Sequence, residues 1–114
     1  MDESVTKYLE QPKVGTLKLS EAIRIGARMR PQCTAVMFDN GKSCALGAAY
    51  EAVYGYPGNG RYGFSSDHNN KMLEEWLSNA FSDLSHVEDS IWHLNDSGAM
   101  TREQIADWLE AQGH

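Results

Sequence analysis

The stretch DNGKSCALGAAYEA, from Asp39 to Ala52, most constrains how this chain can fold. Asn40-Gly41 predicts a two-residue type I′ turn, because both central positions of that turn need positive φ. The preceding residues, CTAVMF at 33–38, carry the β-branched and aromatic side chains of a strand entering the turn. The returning arm is short. Leu46, Ala49, Tyr50, Val53 and Tyr54 already follow the i, i+3, i+4, i+7, i+8 spacing of a helix with one apolar face. A small hairpin around residues 33–44 therefore runs directly into a helix.

Four further helices are expected around it. KLSEAIRIGARMRP reads as one, with Ser20 as N-cap, Ala22, Ile25, Gly26 and Met29 facing inward, and Pro31 as the stop. Asp67 is placed to cap a helix reaching Phe81, with Met72, Leu73, Trp76, Leu77 and Ala80 as its stripe. Ser85–Asn95 carries Val87, Ile91 and Leu94 on one face. In TREQIADWLEAQ, Thr101 and Gln104 fit a capping box, and Ile105, Trp108 and Leu109 face inward. The fold class is thus mainly α (α+β), about five short helices with one small hairpin. Residues 1–15, interrupted by Pro12 and Gly15, read as a loosely ordered arm. Residues 16–114 are long enough for one compact helical domain.

Charge is unevenly spread. Residues 1–50 hold seven Lys/Arg against five Asp/Glu, and residues 51–114 hold three against eleven. The basic face of Lys18, Arg24, Arg28 and Arg30 reads as a solvated helix face or, alternatively, as a surface for an acidic protein partner or a second copy of the chain, a homo-oligomer. It is too slight a basic footprint for nucleic acid. TREQIADWLE resembles an early helix of a helix-turn-helix, but as a recognition helix it would present Glu103, Asp107 and Glu110 against only Arg102. No apolar run approaches a membrane span. MDESVTKYLEQPK has no basic or apolar leader character, and with only two cysteines this predicts a cytoplasmic setting.

The segment 55–66 is the natural loop, with four of the chain's ten glycines in Gly55–Gly63. It is also aromatic. Tyr56, Arg61, Tyr62 and Phe64 are the candidate binding residues, and the same rings could instead fold back onto the domain. Its G-x-G-x-x-G string, Gly58 to Gly63, follows a helix rather than a strand, which removes the dinucleotide reading. NGKSCALG looks like the end of a phosphate loop, but Val36 stands where the first glycine must be.

Cys44 is the one nucleophile with an argument. A thiol at a helix N-terminus beside Lys42 has two reasons for a lowered pKa, and His68, His86 or His93 could serve as base. The Ala/Gly run after it favours the plainer reading of a small buried side chain. Register argues against a Cys33–Cys44 disulfide, since Cys44 faces Met37 and Cys33 lies four strand residues further on, roughly 13 Å, unless the strand ends early and the chain folds back. His86, Asp89 and His93 form a stripe, but the histidines are roughly 10.5 Å of helix rise apart, too far to share a metal ion. The chain therefore reads as a small non-enzymatic binding or interaction protein without cofactor or metal. The alternative is a thiol-dependent enzyme or redox protein using Cys44 with His86 or His93.

Three strings, KLSEAIRIGARMRPQ, SCALGAAYEAVYG and HLNDSGAMTREQIADWLE, together resemble a group of small bacterial and phage-type proteins with no assigned activity. The resemblance covers both ends of the chain rather than its middle and carries over no catalytic residue. Some of those proteins have a C-P-x-C pair before the HLND helix. The corresponding WLSNAFSDLSHVEDSIWHLND has no cysteine, so a metal or redox role does not transfer from them.

Overall fold

The computed structural model describes residues 17–57 and 70–114. Among these the order is α1 (Leu19–Ala27), β1 (Phe38–Asp39), β2 (Lys42–Ser43), α2 (Ala45–Tyr54), α3 (Asn70–Ala80), α4 (Leu84–Asp96) and α5 (Arg102–Ala111). The mainly α class with one small hairpin is what the sequence predicts. The expected arm at 1–15 and the Asp67 cap lie outside the described residues.

Helix α1 starts earlier than expected. Lys18 is its N-cap, and the Lys18 N–H donates to the Glu21 carboxylate at 3.0 Å. Ser20 therefore sits inside the first turn, buried, and its N–H donates to the His114 carbonyl at 3.2 Å. The inward face shifts with it, to Leu19, Ala22, Ile23 and Gly26. Ile25 is only half-buried and Met29 is 50% exposed, because both lie to one side of that stripe. Helix α1 packs mainly on α2 and then on α5. The α1–α2 contact is so close that a Cβ on Gly26 would lie 1.9 Å from the Ala48 carbonyl oxygen.

The hairpin has the expected register, Phe38 opposite Ser43 and Asp39 opposite Lys42, with positive φ of 47° at Asn40 and 76° at Gly41. The Cys44 N–H donates to the Met37 carbonyl at 3.0 Å, as that register requires. The expected strand over 33–37 does not form. Ala35 takes a left-handed φ of 73°, and its N–H donates to the Asp96 carboxylate at 3.0 Å. The chain doubles back, so that Gln32 bridges Ser43 in parallel: Ser43 N–H donates to Pro31 O at 2.9 Å and Cys33 N–H to Ser43 O at 3.0 Å. The 13 Å separation argued from an extended strand is thereby overturned. Both cysteines are buried and free.

Ala35 offers a direct test. A left-handed residue with a Cβ costs about 1–2 kcal/mol, while glycine costs about 0.4–1 kcal/mol in unfolded-state entropy. Ala35→Gly is therefore expected to stabilise the domain by about 0.5 kcal/mol, seen as a higher urea midpoint at unchanged slope.

The remaining helices build one core cluster. Helix α2 buries every residue from Ala45 to Glu51. Helix α3 buries Leu73, Leu77 and Ala80, but Trp76 is 39% exposed and Met72 half-buried, which corrects the broad stripe. Helix α4 buries Leu84, Val87, Ile91 and Asn95, and Leu94 is only half-buried. Helix α5 begins with the expected capping box: Gln104 N–H donates to Thr101 Oγ1 at 3.1 Å and Thr101 N–H to Gln104 Oε1 at 2.8 Å. It buries Arg102, Ile105, Ala106 and Leu109, leaving Trp108 half-buried. No helix among the described residues is long and apolar enough to cross a membrane.

Candidate functional site

The aromatic side chains that flank the glycine-rich segment form a continuous ladder. The Trp76 ring meets Tyr54 edge-on at 5.3 Å between centroids, Tyr54 lies 5.0 Å from Tyr50, Tyr50 is 6.1 Å from Phe38, and Phe38 meets Tyr56 edge-on at 5.3 Å. Tyr54 Oη also donates to the Trp76 carbonyl at 2.9 Å, pinning α2 to α3. Tyr50 and Phe38 are buried, whereas Trp76 is partly exposed. The ladder therefore runs from Trp76 on α3, through the core, to Tyr56 just beyond α2.

Its Tyr56 end is finished by a cation. The Arg30 guanidinium stacks over the Tyr56 ring at 3.7 Å and forms a bidentate pair with Glu51, Nε to Oε1 at 2.7 Å and Nη2 to Oε2 at 2.8 Å. Glu51 is buried, so this pair sits where water screens it least. The hydrogen bond to Glu51 raises the Arg30 pKa above its ordinary value against the cost of burial. Of the other candidate loop residues, Arg61, Tyr62 and Phe64 lie outside the described residues.

The basic face divides in two. Arg30 is turned into the ladder. Arg24 reaches α5, with Nη2 2.7 Å from Asp107 and Nη1 3.0 Å from Glu110. Those two hydrogen bonds, Asp107 first, push its pKa upward. Lys18 and Arg28 are exposed. Part of the charge asymmetry read from the sequence is thus satisfied within the chain, α1 against α5.

Two polar residues that sequence reasoning missed hold the ladder's base in place. Asn95 Oδ1 accepts from the Ala45 N–H at 3.0 Å and from Gln32 Nε2 at 2.9 Å, and its Nδ2 donates to the Cys33 carbonyl at 2.9 Å. It thereby satisfies a free first-turn N–H of α2 and fastens the doubled-back segment. Arg102 is buried: Nη1 donates to Ser43 Oγ at 2.8 Å and Ser43 O at 3.3 Å, and Nη2 to Arg30 O at 2.6 Å and Ala27 O at 3.2 Å. It closes the C-terminal carbonyls of α1 and fixes the backbone of Arg30 beneath Tyr56. Burial lowers its pKa from the usual arginine value. Arg102 is therefore not the surface cation that the helix-turn-helix comparison assumed. Both residues had a signal: each is a polar side chain on an otherwise apolar helical stripe.

Cys44 caps α2, its Sγ accepting from the Gly47 N–H at 3.4 Å. That contact alone would favour a thiolate. Burial outweighs it: Cys44 is 1% exposed and its pKa is pushed up to about 12, not down. His86 and His93 do not approach it from α4. Asn95 carries the face of α4 that reaches Ala45, and His93, two residues earlier, is turned by about 200° from it. His86, nine residues earlier, is about two and a half turns away and points the same way as His93. Both are exposed, and His93 borders a groove between α4 and α5 with Leu94 and Trp108. His68 lies outside the described residues. No cluster of His, Cys, Asp and Glu among the described residues could hold a metal ion.

Comparison of the chain with family models, curated proteins and solved structures finds no match.

Proposed function

We propose that the chain is a small non-enzymatic binding protein whose contact residues are Tyr56, Arg61, Tyr62 and Phe64 of the 55–66 segment, together with the exposed end of the aromatic ladder. The observation that carries this reading is the partly exposed Trp76, joined edge-to-edge through Tyr54, Tyr50 and Phe38 to Tyr56 under Arg30. Rigid, amphipathic rings beside an arginine are the side chains that contribute most at protein contacts, because they bring large area at small entropy cost. The ladder supports a protein surface as ligand, and the first candidate is a second copy of the chain. The exposed Lys18 and Arg28 that flank α1 supply positive charge for such a contact.

Sedimentation over a wide concentration range tests it. The wild type is expected to self-associate, and Trp76→Ala and Tyr56→Ala are each expected to weaken the association by at least about tenfold, the scale of an aromatic hot spot. Circular dichroism confirms that each variant is folded. The reading fails if the wild type stays monomeric throughout and if the intact protein and a variant lacking 56–64 capture the same proteins from a lysate.

A further inference from the structure

The doubled-back segment brings the backbones of Cys33 and Cys44 onto neighbouring segments. Gln32 and Ser43 form a parallel bridge, and the next residue on each segment is a cysteine, Cys33 and Cys44. One step beyond a parallel bridge, paired residues stand roughly 5 Å apart with side chains on the same face. A disulfide needs Cα atoms about 4.4–6.8 Å apart. Both thiols belong to the same buried cluster. Both residues also converge on one atom, the Met37 carbonyl oxygen, which lies 3.9 Å from Cys33 Sγ and 3.0 Å from Cys44 N.

The surroundings are built rather than incidental. Arg102 is buried with its guanidinium on Ser43, which precedes Cys44 and whose carbonyl accepts from the Cys33 N–H. Its four acceptors, Ser43 O, Ser43 Oγ, Ala27 O and Arg30 O, are all uncharged. Burial raises the Cys33 pKa above the ordinary thiol value, Asp39 adds to the rise, and the Arg102 charge offsets part of it. Cys33 is 8% exposed against 1% for Cys44, which makes it the thiol a reagent meets first.

We propose that Cys33 and Cys44 form a dithiol–disulfide couple that a small disulfide oxidises. Cys33 loses its proton and its thiolate attacks one sulfur of glutathione disulfide, the bonding pair leaving on a glutathione thiolate. Cys44 loses its proton in turn and attacks the Cys33 sulfur, and the second glutathione leaves as thiolate. The protein gives up two electrons and two protons. Glutathione disulfide takes both up and becomes two glutathione molecules. The new bond closes the 33–44 segment, which holds the hairpin and Ala35, onto the N-terminus of α2. This couple does not depend on the binding reading above.

The test equilibrates the full chain with glutathione and glutathione disulfide at several ratios, in native buffer and in urea, followed by acid quench, alkylation and intact-mass measurement. The native protein is expected to lose two hydrogens without retaining glutathione and to yield a cross-linked Cys33–Cys44 peptide. Its equilibrium constant for oxidation is expected to exceed that of the urea-unfolded chain by about tenfold, because the fold holds the thiols together. Any native-to-unfolded ratio above one supports the couple. A ratio of one or less, or cross-links found only between chains, overturns it. Cys44→Ser is further expected to accumulate a single glutathione adduct on Cys33. The wild-type ratio decides the question even if that variant fails to fold.

Discussion

Gly26→Ala is expected to destabilise the domain by about 3 kcal/mol, at the upper end of what overpacking costs. The sign alone is informative. In an open helix interior the same change gains about 1 kcal/mol from helix propensity and reduced chain entropy. Here the added Cβ would lie 1.9 Å from Ala48 O, 2.4 Å from Ala48 C and 2.5 Å from Ala48 Cα. All three are backbone or backbone-attached atoms, and trimming the side chain at 48 removes none of them. Ala48→Gly should therefore not rescue Gly26→Ala, whereas a clash with a flexible side chain would be relieved. To admit the methyl group, α1 must move off α2, and α1 carries Arg24 to α5 and leads into Arg30, which pairs with Glu51. Urea denaturation at constant slope measures the loss. Gly47, whose Cβ would sit 2.1 Å from Met37 O, places the same restriction between α2 and the hairpin.

Gly26 also marks how far the sequence is legible. Its place on the inward face follows from spacing, but the partner backbone it admits does not. Spacing locates all five helices among the described residues and the Asn40-Gly41 turn, because periodicity and positive-φ residues are local signals. The doubling back at 33–37 is invisible because its left-handed residue is an alanine, and no Gly, Asn or Pro announces it. Trp76 looks like core because a helical stripe says which side chains share a face and not how wide the neighbouring element is. The ladder was half legible. Tyr56 stands out in the aromatic segment, while the sequence pattern assigns Arg30 to a basic surface. Its turn inward depends on the buried Glu51, which lies 21 residues away. Register argues against the thiol pair only for an extended strand, and the chain folds back at Ala35 instead.

Asn95→Ala is expected to cost about 3–4 kcal/mol, more than the volume of an asparagine side chain explains. The side chain makes four hydrogen bonds, to Ala45 N, Gln32 Nε2, Cys33 O and Asp96 Oδ1 at 2.9–3.1 Å. Truncation strands a buried helix N–H and a buried carbonyl together, and each such group costs about 1–3 kcal/mol when left unpaired. Asn95→Asp separates hydrogen bonding from packing, since it keeps the shape. Its carboxylate can still accept from Ala45 and Gln32 but turns an acceptor toward the Cys33 carbonyl and the Asp96 carboxylate, where a donor is needed. It should therefore also destabilise, by about 2 kcal/mol or more, and the penalty should shrink at a pH low enough to protonate it. Equal stability of wild type and Asn95→Asp at neutral pH would show that the site is held by shape alone. Amide exchange supplies the local readout. In Asn95→Ala the Ala45 N–H should exchange faster than its neighbours in α2, because its acceptor is lost while the helix behind it remains.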